Sequence, residues 1–479
     1  MVLERPVFQN ISPLDHRYSL SEKEVFDGVS GWLSEDAAVR DCLKAEAALV
    51  AAHLHTRGRL TEAARRQLDE AAGSVSVEEV YREEEKTRHN IRALVNALKR
   101  KRPDEWKPLV HLGATSVDIL DTSLAYRMKG VSAGVVLPLL RKLELLLCDF
   151  AEREAETPQA GRTHGQHAVP ITLGFAMAEY VSRLGKSILE IERLASNLKG
   201  KLAGAVGAYN AVSMITADPC ALERFYLAEL GLEPSEHSTQ LVEPEYLLRL
   251  LLEMNTAFGV IANLADDLRH LQRSEIAELR EGFAGTQVGS STMPQKRNPW
   301  NSEHVKSLWK AFMPRVITFY MDQISEHQRD LSNSASQRFI ADYVCGFCLA
   351  VSRMSGVIES LHVDRERLLY NLSSGGGIQG GIMAEPAYIL LAESGESEAH
   401  EVIRRMTLTA EKEGLSFADA LRREGAVLRR IAGKMLGLGL IADEAEAPSF
   451  FENPARYSGL AVQKAKTIAA KYRSLMKRT

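Results

Sequence analysis

The sequence predicts an all-α protein built around a central bundle of long helices. Apolar residues recur at alternating intervals of four and three from Met177 to Leu198, and the same spacing recurs from Leu247 to Leu268. This spacing gives a helix one apolar seam along its length, so that it packs lengthwise against other helices. Segments with the composition of β-strands are few and short, which leaves helices as the dominant prediction.

Three mostly helical domains are predicted along the chain. Residues 1–111 form an N-terminal domain of shorter helices, which ends near Pro103 and Pro108. Residues 112–363 form the central bundle, and residues 364–479 form a C-terminal domain in which the helices shorten again. Helices are predicted at 37–57, 61–72, 77–101, 131–156, 303–327 and 337–362, in addition to the two that carry the seams at 177–198 and 247–268.

The helix that contains Met177 has a start signal and a stop signal. Pro170 suits its first turn, where a backbone N–H has no partner within the helix, and Gly200 suits its C-terminal cap. Thirty residues of helix are about 45 Å long. Rods of this length exceed what a compact monomer needs, so they predict packing against other subunits.

Composition excludes several classes of protein. Of the 479 residues, 45% are hydrophobic and 25% are charged, as in a soluble globular protein, and a net charge of −4 favours neither a nucleic-acid nor a membrane partner. The opening "MVLERPVFQN" is charged, and no window approaches the roughly 18 apolar residues of a membrane span. Five scattered cysteines argue against a disulfide framework. A cytoplasmic location is expected.

Cys345 and Cys348 form a C-x-x-C within the helical run "QRFIADYVCGFCLAVSRMSGVIESL". A redox motif is expected after a strand, whereas these cysteines lie inside a predicted helix. Buried small side chains are therefore favoured over a redox or metal site.

Two polar stretches precede the long helices. "HLGATSVDILDTS", residues 111–123, offers the hydroxyls of Thr115 and Ser116, and Asp118 can cap the following helix. "EKTRHNIRAL" carries Arg88 and His89 among many other charges. Taken alone, the first stretch is better explained as a capped helix start than as a site, and the second as a solvated helix face.

The stretch "GRTHGQHAVPITLG", residues 161–174, places His164 and His167 in a loop bounded by glycine and proline. No carboxylate or cysteine stands at ligand spacing nearby, as in H-E-x-x-H, so a metal site is disfavoured. A histidine that exchanges a proton near neutral pH is the better functional interpretation.

The stretch "GSSTMPQKRNP", residues 289–299, has neither helical nor strand periodicity. The amides around Ser290 and Ser291 suit an anion, and Lys296 and Asn298 add a cation and an amide. The G-x-x-x-x-G-K-[ST] pattern of a nucleotide-binding loop is absent. A hydroxyl loop beside a lysine suits a dicarboxylate that loses a proton next to a carboxylate, because the lysine stabilises the developing charge.

These motifs resemble those of the fumarase/aspartase superfamily. The signature G-S-S-x-M-P-x-K-x-N-P is intact as "GSSTMPQKRNP", and the companion regions "GATSVDILDT", "GRTHGQHAVPITLG" and "GAVGAYNA" stand in the order of that superfamily. The resemblance covers nearly the whole chain. It implies a homotetramer in which four subunits pool their long helices and each active site draws residues from three chains.

Within the superfamily the chain resembles the adenylosuccinate lyase family. The segments that carry this resemblance are "SPLDHRYS", "EKTRHNI", "STQLVEPEY" and "QRDLSNSASQR". Asn90 departs from that family, which usually has aspartate at this position, and His304 stands where some relatives have arginine.

The family resemblance implies β-elimination of fumarate from succinyl-amino nucleotides, with no metal or organic cofactor. It assigns Ser290 as the base that removes a proton from carbon and His164 as the acid that protonates the leaving nitrogen. A nucleotide phosphate would be held by Arg17, Tyr18, Arg329, Ser334 and Arg338. The whole substrate-binding set implied is Arg17, Tyr18, Arg88, His89, Asn90, Thr115, Ser116, Gln240, Ser291, Lys296, Asn298, Arg329, Ser334 and Arg338.

Other interpretations remain open on the sequence. Argininosuccinate lyases share "MPQK" but carry an S-R-N-D type of motif where this chain has "ATSVD". Carboxymuconate cycloisomerases share "GATS" and "THGQ" but have no phosphate for Arg17, Arg329 and Arg338 to bind. A catalytically silent structural relative would be expected to lose Ser290 or His164, and both are present. Without the motifs, a helical-bundle interaction protein would be the default interpretation.

Overall fold

A computed structural model describes residues 6–283, 292–374 and 377–477 of the chain. Helices dominate it, which confirms the all-α prediction. Three long helices match the predicted rods closely, since they span Leu173–Ser196, Glu245–Leu271 and Ile340–Ser360.

The helices up to the end of the long rods are named here in chain order. They are α1 (Arg17–Ser21), α2 (Lys23–Leu33), α3 (Glu35–Thr56), α4 (Glu62–Gly73), α5 (Val77–Thr87), α6 (Asn90–Arg100), α7 (Ser116–Val131), α8 (Leu137–Arg153), α9 (Leu173–Ser196), α10 (Pro219–Ala228), α11 (Glu245–Leu271), α12 (Trp300–Phe312), α13 (Arg315–Met321) and α14 (Ile340–Ser360).

The C-terminal helices are shorter, as predicted. They are α15 (Arg365–Ser373), α16 (Ala384–Glu393), α17 (Ala399–Glu413), α18 (Phe417–Arg423), α19 (Gly425–Gly437), α20 (Ala447–Glu452) and α21 (Ala461–Met476).

Short strands pair in twos. They are β1 (Pro158–Thr163), β2 (Gln166–Thr172), β3 (Lys199–Gly200), β4 (Glu233–Pro234), β5 (Leu279–Arg280) and β6 (His362–Val363). The pair β1 and β2 is an antiparallel hairpin, β3 and β4 are parallel, and β5 and β6 are antiparallel.

The chain divides into two compact units. The first comprises Met1–Arg141, Lys186–Gly259 and Ser307–Ser352, and the second comprises Lys142–Gly185, Val260–Lys306 and Arg353–Thr479. The division into three consecutive domains stays a prediction.

The first unit is organised around α3, which is buried along most of its length and packs against α4, α7 and α10. Helix α2 packs against α7, with the ring of Trp32 lying directly over Gly130. A Cβ at Gly130 would lie 2.2 Å from that ring, so only glycine permits this approach of the two helices.

The second unit has its own apolar core, formed by side chains such as Leu372, Met383, Phe417, Met435 and Phe451. Ala160 of β1 belongs to the same cluster, and α15 packs against β1. The β1–β2 hairpin is therefore anchored to a helical core.

Two predicted helices are interrupted. The segment 77–101 is split because Arg88 adopts a left-handed conformation (φ 51°), after which His89 caps the start of α6. The segment 303–327 is split at Pro314, which has no N–H to continue the helix, so α12 ends at Phe312 and α13 begins at Arg315.

Other boundaries also differ from the prediction. Helical structure around 131–156 begins earlier, because α7 starts at Ser116 and joins α8 through a π-helical turn at Ser132–Val136. Pro170 lies in β2 and Gly200 in β3, so both proposed end signals of the long rod were wrong. The hairpin explains the first error, because it fills the segment directly before α9.

Two helices, Glu245–Leu271 and Ser336–Ser360, are long and apolar enough to cross a membrane by length and composition. The expectation that no segment approaches that composition was too strong. In their most apolar windows 56% and 72% of the residues are buried within the protein, as in core helices of a helical bundle. The length and composition of these two helices are therefore only weak evidence for a membrane span.

Cys345 and Cys348 are buried in α14, and burial raises the pKa of both thiols, that of Cys345 to about 12. Both cysteines are free. The prediction of buried small side chains is confirmed.

Candidate active site

A cavity of about 700 Å³ lies in the first unit. Its wall joins the start of α6, the start of α7, the loop at Gln240 and the segment that leads into α14. The predicted substrate-binding residues that line this cavity are His89, Asn90, Thr115, Ser116, Gln240, Arg329, Ser334 and Arg338.

The hydroxyls of Thr115 and Ser116 stand at the N-terminal end of α7. Asp118 caps this end, because its Oδ2 accepts a hydrogen bond of 2.7 Å from the backbone N–H of Thr115. The predicted capped helix start is confirmed, and it lies in the cavity wall as well. The positive end of the helix dipole lies there too, so this part of the wall favours an anion.

His89 occupies the N-cap position of α6. Its Nδ1 accepts a hydrogen bond of 3.3 Å from the backbone N–H of Arg92. In a neutral ring the proton then resides on Nε2, which leaves that atom as the donor available to a ligand. Arg88 and His89 are both exposed, which agrees with the predicted solvated surface. They do not lie on the face of one helix, because the left-handed Arg88 ends α5 and His89 caps α6.

Gln240 and Arg329 are far apart in sequence but hold each other in the cavity wall. The guanidinium of Arg329 donates from Nη1 to Oε1 of Gln240 over 3.1 Å, and the backbone N–H of Gln240 donates to the carbonyl of Gln328 over 3.2 Å. These contacts bring two of the predicted nucleotide-binding segments together.

The charges of the cavity wall are mostly positive. Arg127, Arg329 and Arg338 line it together with the carboxyls of Glu35 and Asp121. Burial raises the pKa of Asp121 to about 6, against the hydrogen bond from Val242 N–H and the charges of Lys201 and Arg329. No motif in the sequence singled out Arg127 or Asp121.

His164 lies in the second unit, at the tip of the β1–β2 hairpin. His164 and Gly165 both have positive φ, 54° and 74°, as in the two-residue turns of tight hairpins. The imidazole of His164 is exposed, whereas His167 on β2 is half-buried. Burial and the charge of Arg162 lower the pKa of His167, so it is neutral near pH 7.

A buried carboxylate fixes this hairpin within the second unit. Glu278 is fully buried and accepts from both terminal nitrogens of Arg162, over 3.1 and 2.5 Å. It also accepts from Gln159 Nε2 and Asn371 Nδ2, over 2.8 and 2.9 Å. The strand that leads into the turn at His164 is therefore held by three side-chain contacts to one carboxylate.

The remaining predicted residues have different outcomes. Lys296 is exposed and Asn298 is half-buried, both in the second unit. Ser290 and Ser291 lie outside the described residues. Arg17, Tyr18 and Arg88 belong to the first unit but are not among the described residues that line its cavity. Within the described ranges, no group of three His, Cys, Asp or Glu side chains is placed to hold a metal ion.

Comparison with known proteins places this chain in a family. A lyase family model matches residues 24–311, and a model of the adenylosuccinate lyase C-terminal region matches residues 325–438. Adenylosuccinate lyase of Pyrococcus abyssi is 33% identical over 428 residues, which cover 88% of this chain and 91% of that protein. The chain belongs to the adenylosuccinate lyase family. The resemblance inferred from the motifs is confirmed, and the protein is a carbon–nitrogen lyase.

Further relatives agree with this family. Adenylosuccinate lyase of Methanocaldococcus jannaschii is 31% identical and covers 95% of this chain and 94% of its own length. Among solved structures, a 3-carboxy-cis,cis-muconate lactonizing enzyme from Pseudomonas putida matches with a TM-score of 0.77 at 23% identity, covering 95% of this chain and 97% of that one. A fumarate lyase from Mesorhizobium matches with a TM-score of 0.78 at 21% identity, covering 93% and 97%. These two structures support the fold alone.

His111 is a titratable residue close to the candidate site of this adenylosuccinate lyase family member that no motif singled out. This residue has a left-handed backbone (φ 62°), and its Nδ1 lies 2.6 Å from Oε1 of the fully buried Glu46. Burial favours the neutral ring, but the hydrogen bond and charge of Glu46 outweigh it and raise the pKa of His111. Its position four residues before Thr115 was visible in the sequence, but its partner on α3 was not.

Replacing Arg162 by alanine should destabilise the hairpin that carries His164. Arg162→Ala leaves Glu278 buried without its cation, which costs about 3 kcal/mol in the free energy of unfolding. Denaturant unfolding measures this loss. Arg193→Ala is the matched control, because its ion pair with Glu190 lies on the surface and its removal should change little. Equal stabilities of the two variants would contradict the anchoring role of Arg162.

Proposed function

We propose that this protein is an adenylosuccinate lyase. It eliminates fumarate from adenylosuccinate, giving AMP, and from the succinylated aminoimidazole carboxamide ribotide earlier in purine nucleotide synthesis. Family membership supports the reaction. The observation that carries the substrate is the cavity of the first unit, whose wall joins an arginine-bearing segment, a glutamine loop and a hydroxyl-bearing helix start.

The phosphate of the nucleotide binds to Arg329, Ser334 and Arg338. A guanidinium binds phosphate through two parallel hydrogen bonds, and two of them in one cavity wall suit a dianion. The contact of Arg329 with Gln240 supports this role, because it orients the guanidinium before any ligand binds.

The succinyl carboxylates bind to Thr115 and Ser116, with Ser291, Lys296 and Asn298 completing the set. The start of α7 supplies backbone N–H groups and the positive end of a helix dipole in addition to the two hydroxyls. His89 and Gln240 lie in the same wall and orient the part of the substrate between its two anionic ends.

The reaction breaks a carbon–nitrogen bond in two proton transfers. Ser290 removes a proton from the succinyl carbon next to the one that carries nitrogen, and the electrons pass into the adjoining carboxylate. The C–N bond then breaks as the double bond of fumarate forms, and His164 donates a proton to the leaving nitrogen. The position of His164 at an exposed hairpin tip supports its role as a proton donor to a bound ligand.

We also propose a homotetramer that acts in the cytoplasm. Ile317, Met321 and Ile324 expose between 63% and 77% of their surface, as residues of an uncovered interface do. The five cysteines are free, and four of them are buried, which suits a reducing compartment.

The substrate class is tested by supplying adenylosuccinate, the succinylated ribotide and argininosuccinate separately. Fumarate should appear with both succinyl nucleotides and not with argininosuccinate, because Arg329 and Arg338 recognise a phosphate that argininosuccinate lacks. Fumarate release from argininosuccinate alone would replace the proposed function by the alternative member of the superfamily.

The phosphate-binding role of Arg329 predicts a selective effect of its removal. Truncating a charged group paired with a bound phosphate costs roughly 2–5 kcal/mol, so Arg329→Ala should raise KM for adenylosuccinate about 30-fold or more. The dephosphorylated nucleoside, already a poor substrate, should be almost unaffected. If KM rose equally for both substrates, the protein would still be a fumarate-releasing lyase, but Arg329 would not be a phosphate-binding residue.

The two proton-transfer residues and the shared active site are tested together. His164→Ala and Ser290→Ala should each lower turnover by about 10²–10⁴-fold, the usual contribution of a general acid or base. Mixing the two inactive variants after subunit exchange should restore part of the activity, because some sites would then receive both residues from different chains. Full activity of either single variant would refute its assigned role, and no recovery on mixing would refute sites shared between subunits.

A further inference from the structure

Lys201 is a buried lysine in the first unit, directly beside the helix start that bears Thr115 and Ser116. Only 1% of its surface is exposed, and its ammonium pairs with Asp118, which is fully buried. Lysine is almost never buried to this extent unless it is paired. A buried ion pair is also a poor source of stability, because apolar side chains of similar volume often stabilise as well or better.

The geometry joins Lys201 to the active-site wall through one carboxylate. Oδ1 of Asp118 accepts from the ammonium of Lys201 and from the backbone N–H groups of Ala203 and Gly204, over 3.1 and 3.3 Å. Oδ2 of the same carboxylate accepts from the N–H of Thr115. The charge of Lys201 is thus separated from the first turn of α7 by a single side chain.

Asp118 creates an electrostatic conflict at this helix start. A carboxylate in the first turn stabilises a helix because it cancels the positive end of the dipole. That same positive end is what attracts an anionic ligand. An uncompensated Asp118 would therefore stabilise α7 and repel the carboxylates that Thr115 and Ser116 are proposed to bind.

The positive charge of Lys201 acts on other buried carboxyls besides Asp118. Its charge opposes the burial that raises the pKa of Asp121 and of Glu223, and both of these residues also feel the negative charge of Asp118. Backbone contacts fix its position, since Thr122 Oγ1 accepts from Lys201 N–H over 3.1 Å and donates to the Lys201 carbonyl over 3.2 Å.

We propose that Lys201 is a positioning residue that keeps the start of α7 attractive to the succinyl carboxylates by neutralising Asp118 from behind the active-site wall. This inference rests on the proposed function, because it takes Thr115 and Ser116 as the residues that hold those carboxylates. Lys201 itself is enclosed by protein and acts on the ligand only through its field.

A purely mechanical role predicts a different pattern from an electrostatic one. Lys201→Met and Asp118→Asn remove the same ion pair but leave opposite charges behind. If the pair only holds α7 in place, the two variants should weaken ligand binding alike. If the pair neutralises the helix start, only the variant that leaves the negative charge should repel a dicarboxylate.

The test measures fumarate and AMP binding separately, by calorimetry and as product inhibition, for Lys201→Met, Asp118→Asn and the double variant. Lys201→Met should weaken fumarate binding about 10–100-fold, as an uncompensated nearby charge requires. It should leave AMP binding within about twofold. Asp118→Asn, which keeps the cation of Lys201, should bind fumarate more tightly than Lys201→Met does, and the double variant should bind it with intermediate affinity. KM for adenylosuccinate should rise in Lys201→Met more than kcat falls.

The proposal would be overturned if the two single variants weakened fumarate binding equally, or if Lys201→Met left fumarate binding unchanged. If Lys201→Met does not fold, Asp118→Asn and the double variant still decide. They share the loss of the carboxylate and differ only in the charge of Lys201, so equal fumarate binding by the two contradicts the electrostatic role. Failure of the proposed function is recognised independently, as absence of fumarate release from adenylosuccinate by the unaltered protein.

Discussion

One buried carboxylate, that of Asp118, holds together the wall of the candidate active site in the first unit. Its two oxygens accept four hydrogen bonds, which tie the first turn of α7 to the segment that begins at Lys201. These parts of the chain are more than eighty residues apart. A carboxylate enclosed by protein must have such partners, since an unpaired buried charge is strongly destabilising. Its need for partners therefore fixes the chain around it, and with it the position of Thr115.

The sequence was most informative where the structure is regular. The four-and-three spacing predicted α9 and α11 to within a few residues, because an apolar seam reflects packing along a whole helix. It failed at Arg88, where a left-handed residue that is not glycine ends α5 and places His89 in the cavity wall. Charged helix formers on both sides hid that break. At Pro170 the error was the reverse: a helix start was predicted, and the residue lies in a strand that tertiary packing anchors.

Motifs predicted the residues of the candidate site, but not the buried residues behind them that hold them in position. His89, Thr115, Gln240 and Arg338 came from resemblance to a family, and the structure places them in one cavity wall. The residues that act on them indirectly, such as Lys201, had no local signal, because a buried ion pair is defined by a partner elsewhere in the chain. A single sequence contains both members of such a pair but not the information that they meet.

The hydrogen bond between Arg329 and Gln240 has a consequence for how quickly and how tightly a ligand is captured. Side-chain freedom of Arg329 is already restricted on folding, so less conformational entropy is lost when an anion arrives. Arg338 is exposed and has its rotamers to lose at that moment. In the proposed phosphate site, Arg329 would therefore be the prepared contact that favours a productive first encounter. Arg338 would become ordered only after the anion has arrived, so its contribution would mainly be to slow the departure of the anion.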